Sequence, residues 1–194
     1  MKESGLDMRM DKSQSLTAKE VINTYDEEEL ARILFEYGEE KFSKKIAKKI
    51  CEMRKEKTIE TTKELVDIIE QSIPFSSKKD GHPAKRTFQA IRIEVNNEIE
   101  PLYNTIKDCI NTLNKGGRLC VITFHSLEDR AVKNAYTDAM GKCTCPSDLP
   151  YCVCNYKSLG KIINKKPIVA DKKEQIENSR AKSAKLRIFE RNDK

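Results

Sequence analysis

The sequence predicts an α/β protein in which a unit of short helices precedes a small sheet. Three observations predict it. Four capped, amphipathic stretches crowd residues 17–73. A helical stretch ends in NKGG at 114–117 and runs at once into the apolar string RLCVITF. The chain then closes on a second strand pattern, AKLRIFE at 184–190. Helix periodicity followed by buried strands is the order of an α/β domain.

Residues 1–15 show no periodicity and read as an extended lead-in. Thr17 with Glu20, Asp26 with Glu29, and Thr61 with Glu64 have the spacing of helix amino-terminal caps. Leu30, Ile33, Leu34 and Tyr37 form an apolar stripe that Gly38 ends. Phe42, Ile46 and Ile50 recur every four residues, and Leu65, Ile68 and Ile69 mark a fourth helix closed by Pro74. After the loop PFSSKKDGHP, a helical stretch runs from Ala84 to Leu113, with a break expected at Pro101. Leu119, Val121, Ile122 and Phe124 barely alternate, as in a strand covered on both faces, so the Gly-Gly–strand unit is read as part of a doubly wound sheet. Leu127–Met140 reads as a helix. Two or three strands cannot bury both faces of a parallel sheet, so more sheet is expected upstream. No internal repeat is visible.

Composition narrows the classes. Charged residues make up 35% and hydrophobic residues 38%, and Trp is absent, which argues against a large base-stacking platform. No apolar run approaches the roughly 20 residues of a membrane helix, and the amino terminus lacks a signal-peptide core. A cytoplasmic protein without a membrane partner is expected. The net charge of +6 is uneven: residues 155–194 carry 12 Lys/Arg against 5 Asp/Glu. The excess lies in the tail, which fits either a polyanionic partner such as nucleic acid or a solubilising surface.

Of seven Cys, Cys51, Cys109 and Cys120 fall on apolar faces and read as small core residues. The other four, Cys143, Cys145, Cys152 and Cys154, bracket a short loop in CTCPSDLPYCVC. Four thiolates so close can hold zinc tetrahedrally, although the spacing is C-x-C rather than C-x-x-C. A loop of reduced, unligated thiols is the other reading.

Four further strings carry chemistry. GLDMRMD lies at 5–11, HPAKRTFQAIRIEVNNE at 82–98, GGRLCVITFHSLEDRAVK at 116–133 and NSRAKSAKLR at 178–187. In the second, Lys85, Arg86 and Arg92 could meet phosphate and Asn96 and Asn97 base edges, or the charges could be solvated around a core stripe of Phe88, Ile91 and Val95. In the third, His125 and Ser126 sit where a strand ends and a helix starts, the edge at which open α/β sheets bind ligands. His125 could accept a proton near neutral pH. Equally, Ser126 could cap the helix and Asp129–Arg130 form a structural pair. In the fourth, Arg180, Lys182, Lys185 and Arg187 alternate with small residues, as an RNA-backbone grip would or as an edge strand protected by charge would.

In this order and spacing the four strings resemble the bacterial RsmH (MraW) methyltransferases, over nearly the whole chain. The resemblance implies the carboxy-terminal portion of a Rossmann-like, S-adenosylmethionine-dependent enzyme with an inserted all-helical domain. Residues 1–16 would be the lead-in to the methyltransferase domain and 17–82 the insertion. Residues 83–194 would be the rest of that domain, with a Cys-rich loop at 142–156 and the basic tail. The implied reaction moves a methyl group to the N4 amine of a decoding-site cytosine in 16S rRNA, within the small ribosomal subunit. An amine attacking a sulfonium methyl loses its proton after the attack and needs no strong base. The family's glycine-rich donor loop has no counterpart among the seven glycines, none of which forms a G-x-G pair. An incomplete chain is therefore expected, inactive by itself, with no donor-binding residues and no assured catalytic residue. A standalone RNA-binding module derived from the enzyme is the second reading. A homodimer stays open.

The two readings of the Cys cluster separate on metal content. The zinc reading expects about one zinc per chain on a four-thiolate site in protein purified without chelator. Metal-free protein whose four thiols all react with a thiol reagent would refute it.

Overall fold

The computed structural model describes residues 4–74, 82–141, 145 and 157–192. The chain divides into two compact units, Met1–Glu98 and Ile99–Lys194.

The first unit is helical: α1 Ala18–Thr24, α2 Glu27–Glu36, α3 Ser43–Glu56, α4 Thr62–Ser72 and α5 Lys85–Asn96. The caps fall where the spacing predicts, at Thr17, Asp26 and Thr61, with Glu20 and Glu64 completing capping boxes. One face of each helix feeds a common core that includes Val21, Ile22, Leu30, Ile33, Leu34, Ile46, Ile50, Leu65, Ile69 and Ile91. Gly38 does more than stop α2. A Cβ there would lie 2.6 Å from the Leu34 carbonyl oxygen and 2.8 Å from that of Arg86, so glycine allows the chain to pass against α5.

The amino-terminal segment is extended over residues 4–6, where it packs against the helical unit. Leu6 is buried in this core. The Leu6 N–H donates to Glu60 O and the Thr62 N–H to Ser4 O, which lays residues 4–6 antiparallel to 60–62.

The helical stretch expected to break at Pro101 breaks at Asn97, which adopts a left-handed backbone (φ 45°) as the carboxyl cap of α5. Pro101 falls in the first turn of α6, Ile99–Thr112. There no intrahelical bond needs its missing N–H, so it interrupts nothing.

The second unit packs α6 and α7, Ser126–Met140, on a sheet made of β1 Arg118–Thr123, β2 Gly160–Ile162, β3 Ile168–Val169 and β4 Lys185–Arg191. A short helix, α8 (Lys172–Glu177), and a 3₁₀ turn (Ser179–Ser183) lead into β4. β4 runs antiparallel to β1 on one side and to β2 and β3 on the other. It is therefore the central strand, not a charged edge.

Residues of β4 alternate. Phe189, Arg187 and Arg191 turn toward the helices and are buried, whereas Leu186, Ile188 and Glu190 lie opposite. The Phe189 ring meets Tyr136 of α7 at 5.3 Å between centroids, and the Tyr136 hydroxyl donates to Leu119 O at 3.0 Å. Gly160 lies under this ring, and a Cβ there would come within 2.5 Å of it.

β1 is not covered on both faces. Leu119 and Val121 pack on the helices, while Cys120 and Ile122 stand exposed on the outer face, Ile122 at 58%. Register places Ile122 beside Leu186, and Leu186 beside Ile168. The unbroken apolar string thus reflects two faces, each apolar, only one of which is packed among the described residues. Cys120 accordingly is no core residue. Cys51 and Cys109 are half-buried.

Phe189 anchors this unit, so Phe189→Ala should destabilise it by about 3–5 kcal/mol, read as the shift in the urea unfolding midpoint. Ile122→Ala on the outer face should cost much less, within about 0.5 kcal/mol.

Candidate functional site

The junction between β1 and α7 is built around Glu128. His125 is the amino-terminal cap of α7, and Ser126 is its first residue. The cap expected of Ser126 is thus made by His125, whose Nδ1 accepts from the Glu128 N–H at 3.3 Å. In return, Glu128 Oε2 accepts from the N–H groups of Phe124 (2.7 Å) and His125 (3.2 Å). With Nδ1 accepting, the proton of neutral His125 belongs on Nε2, which lies 3.2 Å from Glu128 Oε1, but off the line of a hydrogen bond. Burial would raise the Glu128 carboxyl. The nearby His125 imidazole and the hydrogen bonds from the Phe124 and His125 backbone N–H groups outweigh it and hold the carboxyl at about 2. The imidazole is thereby spent on shaping the turn. It positions the start of α7.

Asp129, one residue on, is held by β4. Arg187 forks onto it, Nε to Oδ1 at 2.6 Å and Nη2 to Oδ2 at 2.9 Å, with both side chains nearly buried. The guanidinium keeps the Asp129 carboxyl below its ordinary range. Of the four tail cations read as an RNA grip, Arg187 is therefore committed to the fold. Arg180 and Lys182 stand exposed on the 3₁₀ turn, and Lys185 lies half-buried 3.9 Å from Asp129.

Sequence reading missed what surrounds them. Lys172, Gln175 and Ile176 of α8, with Ser179 and Lys182, line a shallow groove of about 440 Å³. The cap signal was present, because Asp171 accepts from the Glu174 N–H. The six-residue helix offers too short a period to stand out.

In the first unit, the GLDMRMD string makes a braced loop. Arg9 forks onto Asp7, Nε to Oδ1 at 2.7 Å, and its Nη1 donates to Gln14 O at 2.6 Å. That fork lowers the Asp7 carboxyl to about 2. Met8 sits in the left-handed region (φ 61°), a strained setting for this residue. Asn96 of α5 holds it there: Nδ2 donates to Met8 O and Oδ1 accepts from the Met10 N–H. Asn96 thus braces the loop, and Asn97 ends the helix. Arg92 is engaged by Glu98 at 2.8 Å, whereas Lys85 and Arg86 are exposed on the first turn of α5. The sequence-based groups of candidates fall in separate units, Lys85, Arg86 and Arg92 in the first and His125, Ser126 and the tail cations in the second. Of the zinc candidates, Cys145 is half-buried, and Cys143, Cys152 and Cys154 lie outside the described residues.

The second unit is thus an α/β arrangement with a capped strand–helix turn and an exposed cationic tail. Comparison with known proteins is more specific. The MraW methylase family model matches residues 1–192, and the chain belongs to that family. Relatives named ribosomal RNA small subunit methyltransferase H are 56% identical over 190 residues in Lachnospira eligens and 56% over 188 in Clostridium botulinum strain Kyoto. Another, in Ruminiclostridium cellulolyticum, is 54% identical over 187 residues. These matches cover 96–97% of this chain and 60–61% of the relatives, so the chain spans about three fifths of their length. No helix among the described residues is long and apolar enough to cross a membrane.

The Glu128 carboxyl sets a pH dependence. A carboxylate depressed in the folded state stabilises fully above its unfolded value, here 4.5, and the contribution is lost as pH falls toward about 2. Glu128→Gln should flatten the acid limb of unfolding midpoint against pH in that window, leaving the part due to the other depressed carboxylates, Asp7, Glu64 and Asp129 among them. An unchanged limb would show that the Glu128 bonds do not stabilise the folded chain.

Proposed function

We propose that this chain is the RNA-gripping part of an enzyme that methylates N4 of cytosine 1402 in 16S rRNA within the small ribosomal subunit, in the cytoplasm. The observation that carries the reading, beside family membership, is the tail. Lys172 and Lys182 line a shallow groove with Ser179, whose hydroxyl can add a hydrogen bond to phosphate, and Arg180 stands exposed on the same 3₁₀ turn. In the whole enzyme, residues 17–82 would form a helical domain inserted in a Rossmann-like sheet, flanked by 1–16 and 83–194. The apolar outer face at Ile122, Phe124 and Ile168 supports that reading, since a larger sheet would need it covered.

S-adenosylmethionine is the methyl donor that the family implies. The residues of this chain do not fit it. No two glycines form a G-x-G pair, and Gly38 and Gly160 already press on protein atoms. We assign the donor to the part of the relatives' length that this chain does not span, and no catalytic step to His125 or Ser126. A non-catalytic RNA-binding module is the second reading. Zinc on Cys143, Cys145, Cys152 and Cys154 would only shape their loop.

Salt dependence tests the grip. Each phosphate contact contributes a slope of roughly 0.7–0.9 in log K against log salt. Replacing Arg180, Lys182 and Lys185 with Ala should lower the slope for a 16S rRNA fragment by about 2 to 3 units. Replacing Arg32, Lys44, Lys45 and Lys48 in the helical unit should change it much less. A larger loss from the helical set would move the RNA surface to the first unit.

A further inference from the structure

Helices α6 and α7 leave a groove of about 510 Å³ that neither the Glu128 cap nor the Asp129–Arg187 fork uses. Its floor is apolar: Leu127 and Ala131, one turn apart on α7, are each 7% exposed. Its rim is polar. Arg130 and Asn134, again one turn apart, stand exposed on α7, and Asn104 faces them from α6. Tyr103 forms part of the wall and is fixed in place. Its hydroxyl donates to Asp138, and the Lys107 ammonium lies 5.4 Å from the ring centroid.

We infer that this groove takes a single unstacked base of single-stranded RNA, with Asn104 and Asn134 reading its edge. The inference rests on the RNA-binding reading above and adds a place where bases, rather than phosphates, are recognised. The chemistry is complementary. A carboxamide offers both a donor and an acceptor, as the edges of bases do. The apolar floor and the fixed tyrosine ring suit the flat face of a base. The volume falls in the range of small-ligand sites and is far too small for a duplex. The charge at the rim is mixed, Arg130 from α7 and Glu100 from α6, which leaves the two amides to do the recognition. Arg130 borders the groove and follows Asp129, which lies 3.9 Å from Lys185 at the start of β4. A base is extruded at least cost from a strand that is already unpaired.

The test compares Asn104→Ala/Asn134→Ala with the unaltered chain, using a short single-stranded RNA and a duplex of the same length, titrated across salt. Both amides are exposed, so the fold should survive, and a thermal melt checks it. The expected result is a loss of roughly tenfold in single-strand affinity, with the salt slope and the duplex affinity unchanged, because no ionic contact is removed. Unchanged affinity for both RNAs would overturn the base site and leave the cationic grip standing. A parallel loss for single strand and duplex, with a lower salt slope, would also overturn it, by making the groove a backbone contact. If the unaltered chain binds neither RNA, the RNA-binding reading fails and the inference fails with it.

Discussion

The fork of Arg187 on Asp129 fixes where the two halves of the second unit meet. It ties the middle of β4 to the first turn of α7 by two charge-assisted hydrogen bonds in a nearly dry setting. Removing either partner would strand a charge where water cannot solvate it, which makes the pair far more costly to break than a surface bridge. Phe189, two residues along the same face, packs on Tyr136 two turns further down the helix. One strand face thus supplies the polar and the apolar contacts that hold α7, and α7 in turn presents the cap, Arg130 and Asn134.

Polar groups at the strand–helix junction are nearly all consumed internally. Glu128 closes two backbone donors, His125 closes a third, and Arg187 closes Asp129. The tail, by contrast, keeps exposed cations: Lys172, Arg180 and Lys182, with Lys185 partly so. The division is physical. Buried donors and acceptors need partners within the protein, whereas exposed cations are satisfied by water.

The helical unit was legible in the sequence because its signals are local. Caps lie three residues from their partners, and the core stripes of Leu30–Leu34 and Leu65–Ile69 repeat within one turn. The sheet was not. β2 and β3 have three and two residues, too few for any period. β1 read as covered on both faces because apolar side chains on an open face look the same in sequence as those in a core. Arg187 read as a phosphate ligand because its partner lies 58 residues away. The loop at 7–14 read as featureless because its order comes from Arg9 and from Asn96, 86 residues downstream of Met10, not from a repeat. Pro101 was given the break that Asn97 makes, since proline announces itself and a left-handed asparagine does not.

The central position of β4 has a consequence for synthesis. Arg118 of β1 faces Glu190 of β4 across 72 residues of chain. At a translation rate of roughly 5–20 residues per second, β1 waits on the order of 4–14 seconds for its only partner among the described strands. The helical unit, complete at residue 98, needs no such delay. During that interval Leu119, Val121 and Ile122 form a bare apolar strand with an unpaired edge, the segment on which a nascent-chain chaperone would act first.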